Sequence, residues 1–128
     1  MKRFLIVLTI MGAICALGIY ELVSVQSVMH TLSLDISNIH SKVIKHEGDI
    51  TSLSSDINVI KDYWIAHEEY ICIMFNHKDL LPITESISRA SANIENNNFD
   101  DTIIELNLLE EYAKNSAHIM SFHINNIL

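Results

Sequence analysis

The chain has 128 residues, 8 basic and 16 acidic side chains, a net charge of −8 and a 49% hydrophobic composition. Three glycines and one proline fall far below the roughly 12% of an average domain. That excludes a turn-rich β-sandwich, a collagen-like chain and a glycine-rich phosphate-binding fold. The length suits one domain, and the acidic balance excludes nucleic acid as a partner, because such binding rests on Lys and Arg neutralising phosphates.

Residues 4–20 carry no charge, and the apolar character resumes at Leu22 and Val23 after Glu21. A membrane-spanning helix needs about 20 mostly apolar residues, with a range of roughly 17–25, so the stretch is short but sufficient. Lys2 and Arg3 precede it, and basic residues stay on the cytoplasmic side. The expectation is an N-terminal signal-anchor over residues 1–21, with the N-terminus cytoplasmic and residues 22–128 forming an extracytoplasmic domain at the cell membrane. A cleaved signal peptide is the rival reading, because Ala16-Leu17-Gly18 offers small residues for cleavage after Gly18. Against it, the helical pattern runs through that point without a break.

The first apolar pattern past the anchor is Leu22, Val25, Met29, Leu32, Ile36, Ile39 and Val43. Its alternating steps of three and four make a coiled-coil-like seam. It predicts one helix that crosses the bilayer and continues as a stalk, ended at Lys45-His46-Glu47-Gly48 by terminal basic residues and a glycine. Asp49 is placed to cap the second helix, whose seam is Ile50, Leu53, Ile57, Ile60, Trp64, His67, Ile71 and Met74. The third is Leu80, Ile83, Ile87, Ala90 and Ile94, with Asp79 as the expected cap and Pro82 in the first turn, where its missing N–H costs little. Asn96-Asn97-Asn98 breaks the pattern. The fourth helix then runs through Phe99, Ile103, Leu106, Leu109, Ala113, Ala117, Met120, Ile124 and Ile127, with Asn98 and Asp101 spaced as a capping box.

No alternating strand pattern is present. The fold expected is all-α: a transmembrane helix continuing into an antiparallel bundle of four helices, either two αα-hairpins or a closed four-helix bundle, because short turns make neighbours antiparallel. Residues 57–63 and 106–112 also align at a period of 49, with Asn and Tyr identical. This makes the second and fourth helices candidates for equivalent members of stacked hairpins.

These landmarks together resemble a small family known as domain of unknown function 4363. The resemblance is carried by the Lys2-Arg3 start into an apolar anchor, Trp64, the Phe75-Asn76-His77-x-Asp79-Leu80 junction, the Asn97-Asn98-Phe99-Asp100-Asp101 start of the fourth helix and the Asn126-Ile127-Leu128 ending. It spans nearly the whole chain, but the motifs are short, and family members carry acidic residues at places where this chain has Asn and Ser. The resemblance implies a membrane-anchored, extracytoplasmic helical protein of spore-forming Gram-positive bacteria, and no activity.

Seven histidines are present, but none pairs at the i, i+4 spacing that a helical metal site uses. His118 and His123 stand five apart, about 140° around a helix. His67-Glu68-Glu69 begins like a zinc-protease motif but has Ile71 in place of the second histidine. His67 falls in an apolar seam one turn from Trp64. It reads as a core-edge histidine bonded to a carbonyl or carboxylate, or as a pH-sensitive switch. His77 lies at the junction of the second and third helices, as a cap or a ligand contact. Cys72 is the one cysteine outside the anchor, so no disulfide forms within the domain.

No metal, cofactor or catalytic constellation is expected, and the chain reads as a non-enzymatic interaction or accessory module of the cell envelope. The alternative is an extracytoplasmic sensor or ligand-binding bundle. The expected partners are the membrane and another membrane or envelope protein, or a second copy. The expected contact is Leu22, Val25 and Met29, the membrane-proximal turns that the remaining helices are expected to leave uncovered. Trp64, His67 and His77 are the candidates for structural or switching roles.

Overall fold

The computed structural model describes the backbone of residues 1–45 and 47–127, with side chains as far as Ser116 apart from residue 46. The described chain consists of four helices: α1 (Lys2–Ile44), α2 (Ile50–Met74), α3 (His77–Glu95) and α4 (Phe99–Ile127). They form a ring. Helix α1 packs on α2 and α4, α3 packs on α2 and α4, and neither diagonal pair comes into close approach among the described residues. Because α1 meets α4, the bundle is closed, unlike an open stack of hairpins, in which the last helix never returns to the first. Ile57 and Leu106 are both buried in it, as are Ile60 and Leu109, so the 49-residue alignment matches core positions on opposite helices.

The seams match the three-and-four spacing. Val25, Met29, Leu32, Ile36, Ile39 and Val43 of α1, Leu53, Ile57, Ile60, Trp64 and Ile71 of α2, and Leu80, Ile83, Ile87, Ala90 and Ile94 of α3 are all buried. In α4, Leu106, Leu109 and Ala113 are buried, with Phe99 and Ile103 packed beside them; the positions expected from Ala117 onward lie outside the described side chains. Three seam positions of α2 depart from this: Ile50, which opens the helix, stays 38% exposed, and His67 and Met74 are half-buried.

Polar residues end the helices as their chemistry requires. Asp49 accepts from the Ser52 N–H at 2.9 Å, and Gly48 adopts φ +101° ahead of it, a left-handed conformation open to glycine at little cost. Asn98 accepts from the Asp101 N–H, and its amide donates to the Asp101 carboxylate. The start of α3 differs from expectation. Asn76, not Asp79, is the cap, and its side chain accepts from Lys78 N–H at 3.1 Å. The helix therefore begins at His77, which places Pro82 one turn inside it. The missing proline N–H leaves the exposed Lys78 carbonyl to water.

Burial divides α1 into two. The apolar stretch before Glu21 is exposed at every large side chain, while Val25 and Met29 have no exposed surface. This overturns the expectation that Leu22, Val25 and Met29 form an uncovered stripe: Leu22 is half-buried and the other two are core. Helix length supplies the reason. The seam of α1 from Leu22 to Ile44 is about 35 Å long, and the 25 residues of α2 extend about 37 Å at 1.5 Å per residue, enough to cover it throughout. Met29→Ala should therefore cost about 2–5 kcal/mol of bundle stability. Val23→Ala, at a 54% exposed position, should stay within about 0.5 kcal/mol. Denaturant titration of the full chain in detergent measures both, and equal small effects would return Met29 to the surface.

Candidate functional site

A polar tie crosses three of the four seams of the ring, and a longer approach stands at the fourth. Between α1 and α2, Lys42 Nζ pairs with Asp56 Oδ2 at 2.6 Å. Between α2 and α3, the Trp64 indole N–H donates to Thr84 Oγ1 at 2.8 Å, and that hydroxyl donates to Glu68 Oε1 at 3.0 Å. Between α3 and α4, Arg89 Nε donates to Glu105 Oε1 at 2.8 Å. Between α4 and α1, His40 Nδ1 stands 3.6 Å from Glu110 Oε2, too far for a hydrogen bond. Lys114 Nζ donates to the other oxygen of Glu110 at 2.8 Å.

Trp64 carries the largest of these roles. Its ring is 1% exposed within the apolar core, and the Thr84–Glu68 pair satisfies the one polar atom that burial would otherwise strand. His67 is half-buried, with its Nδ1 2.7 Å from the Tyr63 carbonyl one turn earlier. The Nδ1–H tautomer is the donor, and the ring leans on Tyr63 with centroids 4.4 Å apart. That is the carbonyl-bonded core-edge arrangement, with the contact made inside α2. His77 does not cap α3; its Nδ1 lies 3.5 Å from Cys72 Sγ across the α2–α3 turn.

The structure also gives weight to residues that spacing does not single out. Arg89 is a hub: besides Glu105 it reaches Glu85 Oε2 at 3.3 Å and Ser86 Oγ at 3.2 Å. Ser86 is fully buried, as is Thr102, whose hydroxyl donates to the Asn98 carbonyl. The hydrogen bond to Glu105 and the negative charge of both glutamates raise the Arg89 pKa above its ordinary value, against a smaller lowering by burial. A raised cation stabilises the fold at every pH below its unfolded value and loses that contribution only as pH climbs through the folded one. The Arg89 contribution is therefore constant across the physiological range. On α1, the Nε2 of His40 is buried without a partner. The Glu85–Arg89 spacing of four is the one local signal for this network; the partners on other helices leave none.

Open surface grooves border this frame, among them one of about 290 Å³ beside Arg89 and Glu105 and one of about 310 Å³ beside Glu110 and Lys114. A third, of about 100 Å³, lies on the α1–α2 seam among Asp35, Asn38, Ile39, Asp56, Val59 and Ile60. Another, of about 340 Å³, lies between the start of α3 and α4, lined by Phe75, Lys78, Asp79, Leu80, Tyr112 and Asn115 among others. Among the described residues no three His, Cys, Asp or Glu side chains gather as metal ligands. His46, His118 and His123 lie outside the described side chains.

No family model, no curated protein and no solved structure matches the chain.

Truncating Trp64 to alanine should cost about 3–5 kcal/mol, and Thr84→Val, which removes only the hydroxyl partner, about 1–3 kcal/mol. Arg89→Gln leaves the 14% exposed Glu105 carboxylate without its cation. It should lower the melting temperature, because a partly buried charge is left without its partner. Thermal melts measure all three, and an unchanged Arg89→Gln midpoint would mean that the pair does not hold α3 to α4.

Proposed function

We propose that this is a single-pass membrane protein whose N-terminus is cytoplasmic and whose bundle, from about Leu22 onward, stands at the outer face as a non-enzymatic accessory or interaction module. The observation that carries the reading is the division of α1. One helix contains an 18-residue window of mean hydropathy 2.2 with none of it buried, followed by a segment that supplies one wall of the bundle core. An apolar rod of that length exposed on all sides is unfavourable in water and favourable in a bilayer. Lys2 and Arg3 at its start set the proposed orientation.

In this reading the helices alternate in direction. The ties Lys42–Asp56, Trp64–Thr84 and Arg89–Glu105 each link residues roughly equidistant from an intervening turn, as antiparallel neighbours require. The non-enzymatic part is supported by how the polar side chains are used: those of Trp64, Thr84, Glu68, Arg89 and Glu105 are spent on holding helices together. An anchored extracytoplasmic helical domain is also what the resemblance to domain of unknown function 4363 implies. The second reading, a ligand-binding sensor bundle, is favoured by the 340 Å³ groove at Phe75, Lys78 and Tyr112, at the small end of the roughly 300–1,000 Å³ of ligand pockets. A transmitter kinase encoded beside the gene would support that reading, and a multi-pass membrane protein the accessory one.

The full chain should resist alkaline extraction from membranes and be digested by protease added to spheroplasts. Recovery of a soluble species beginning near Ile19 would show a cleaved signal, and protection from protease in spheroplasts would reverse the orientation.

A further inference from the structure

We propose that the α2–α3 junction, Ile73 to Lys78, is a second membrane contact that rests in the headgroup layer beside the point where α1 leaves the bilayer. This extends the anchored, antiparallel reading given above and rests on it.

The register fixes the height. The Lys42–Asp56 pair at 2.6 Å sets α2 against α1. From Asp56 to Met74 is eighteen residues, about 27 Å of helix, and the same distance back along α1 from Lys42 reaches Ser24. The uncharged run from Phe4 to Tyr20 meets the roughly 17-residue lower limit of a spanning helix, and Glu21 marks its outer end. The end of α2, level with Ser24, thereby stands about 6 Å beyond that edge. The headgroup region adds about 5–8 Å on each side of the hydrocarbon, the height of the last turn of α2 and the first of α3.

The side chains at that level suit such a layer. Ile73 is 79% exposed, more than any other large apolar side chain among the described residues except Met1. In water that is a cost with nothing to offset it; against lipid it is a gain. Phe75 is half-buried two residues on, and Tyr20, 70% exposed, stands on α1 where interfacial aromatics concentrate. Charge agrees. The segment from Ile71 to Leu81 holds one lysine and one aspartate, so the face turned to the headgroups carries no net charge for anionic lipid to repel. Lys78 is exposed there, within reach of phosphates. An outward apolar residue beside a lipid anchor calls for no further partner. A second copy would have to dock at the same height, bringing two acidic bundles together.

The test uses the full chain with Cys15→Ser and Cys72→Ser, reconstituted into lipid vesicles. Single cysteines at Ile73→Cys, Lys78→Cys and, at the far end of the bundle, Glu47→Cys carry a bimane label. Flotation with the vesicles reports the anchor independently of the labels. The expected result is severalfold stronger quenching by nitroxide lipids at positions 73 and 78 than at 47, with matching protection from iodide. Floating protein with equal lipid quenching at all three positions would overturn the contact and leave the anchor standing. Protection from iodide at position 73 without lipid quenching would overturn it in favour of a second copy. Protein that fails to float would remove the anchor, and the contact with it.

Discussion

Helix α1 has no interruption between Lys2 and Ile44, and the rest of the molecule is arranged around that fact. Its first half is apolar on every side, and its second half is apolar on one side only. The two halves cannot bend apart, because an unbroken helix keeps its hydrogen bonds only by staying close to straight. Whatever surroundings the first half takes, the bundle is held at a set distance and rotation from them. Helices α2, α3 and α4 have nowhere to pack except on the one-sided half, so burial begins at the turn where the sequence changes from uniform to periodic apolarity.

The bundle uses its charge sparingly and at defined places. Its core is almost wholly aliphatic around one tryptophan, and aliphatic packing says little about which helix lies beside which. The polar ties supply that information: three of the four seams carry one, and each joins a different set of side chains. Exposed ion pairs contribute little stability. A half-buried pair set in the wrong register would strand a charge, which costs far more. The ties thus act against misarranged alternatives more than for the native state, and the Arg89–Glu105 pair, with one carboxylate oxygen fully buried, is the most demanding of them.

The same geometry separates two ends of the molecule. The turn around Gly48 lies far from the apolar half of α1, while the turn at Phe75 and Asn76 returns to it. The acidic excess lies wholly beyond Lys2 and Arg3, so the bundle carries a net negative charge while the apolar half of α1 carries a basic start.

Much of this was legible from the residues alone. Four helices, their seams, the Asp49 cap, the Asn98–Asp101 box and the burial of Trp64 all follow from periodicity and local capping chemistry, which act within a turn or two of sequence. The α3 start lies three residues earlier than the spacing indicates, because Asn76 and Asp79 are both competent caps. The closed ring, the burial of Val25 and Met29, the Arg89 hub and the unpartnered His40 Nε2 could not be read that way. Each depends on which distant helix lies alongside and how far it extends, and one-dimensional spacing carries no record of that distance. The sequence determined which face of each helix must be covered; only the tertiary structure decided what covers it, because aliphatic seams accept many partners and the few polar ties that choose among them are made between residues far apart in the chain.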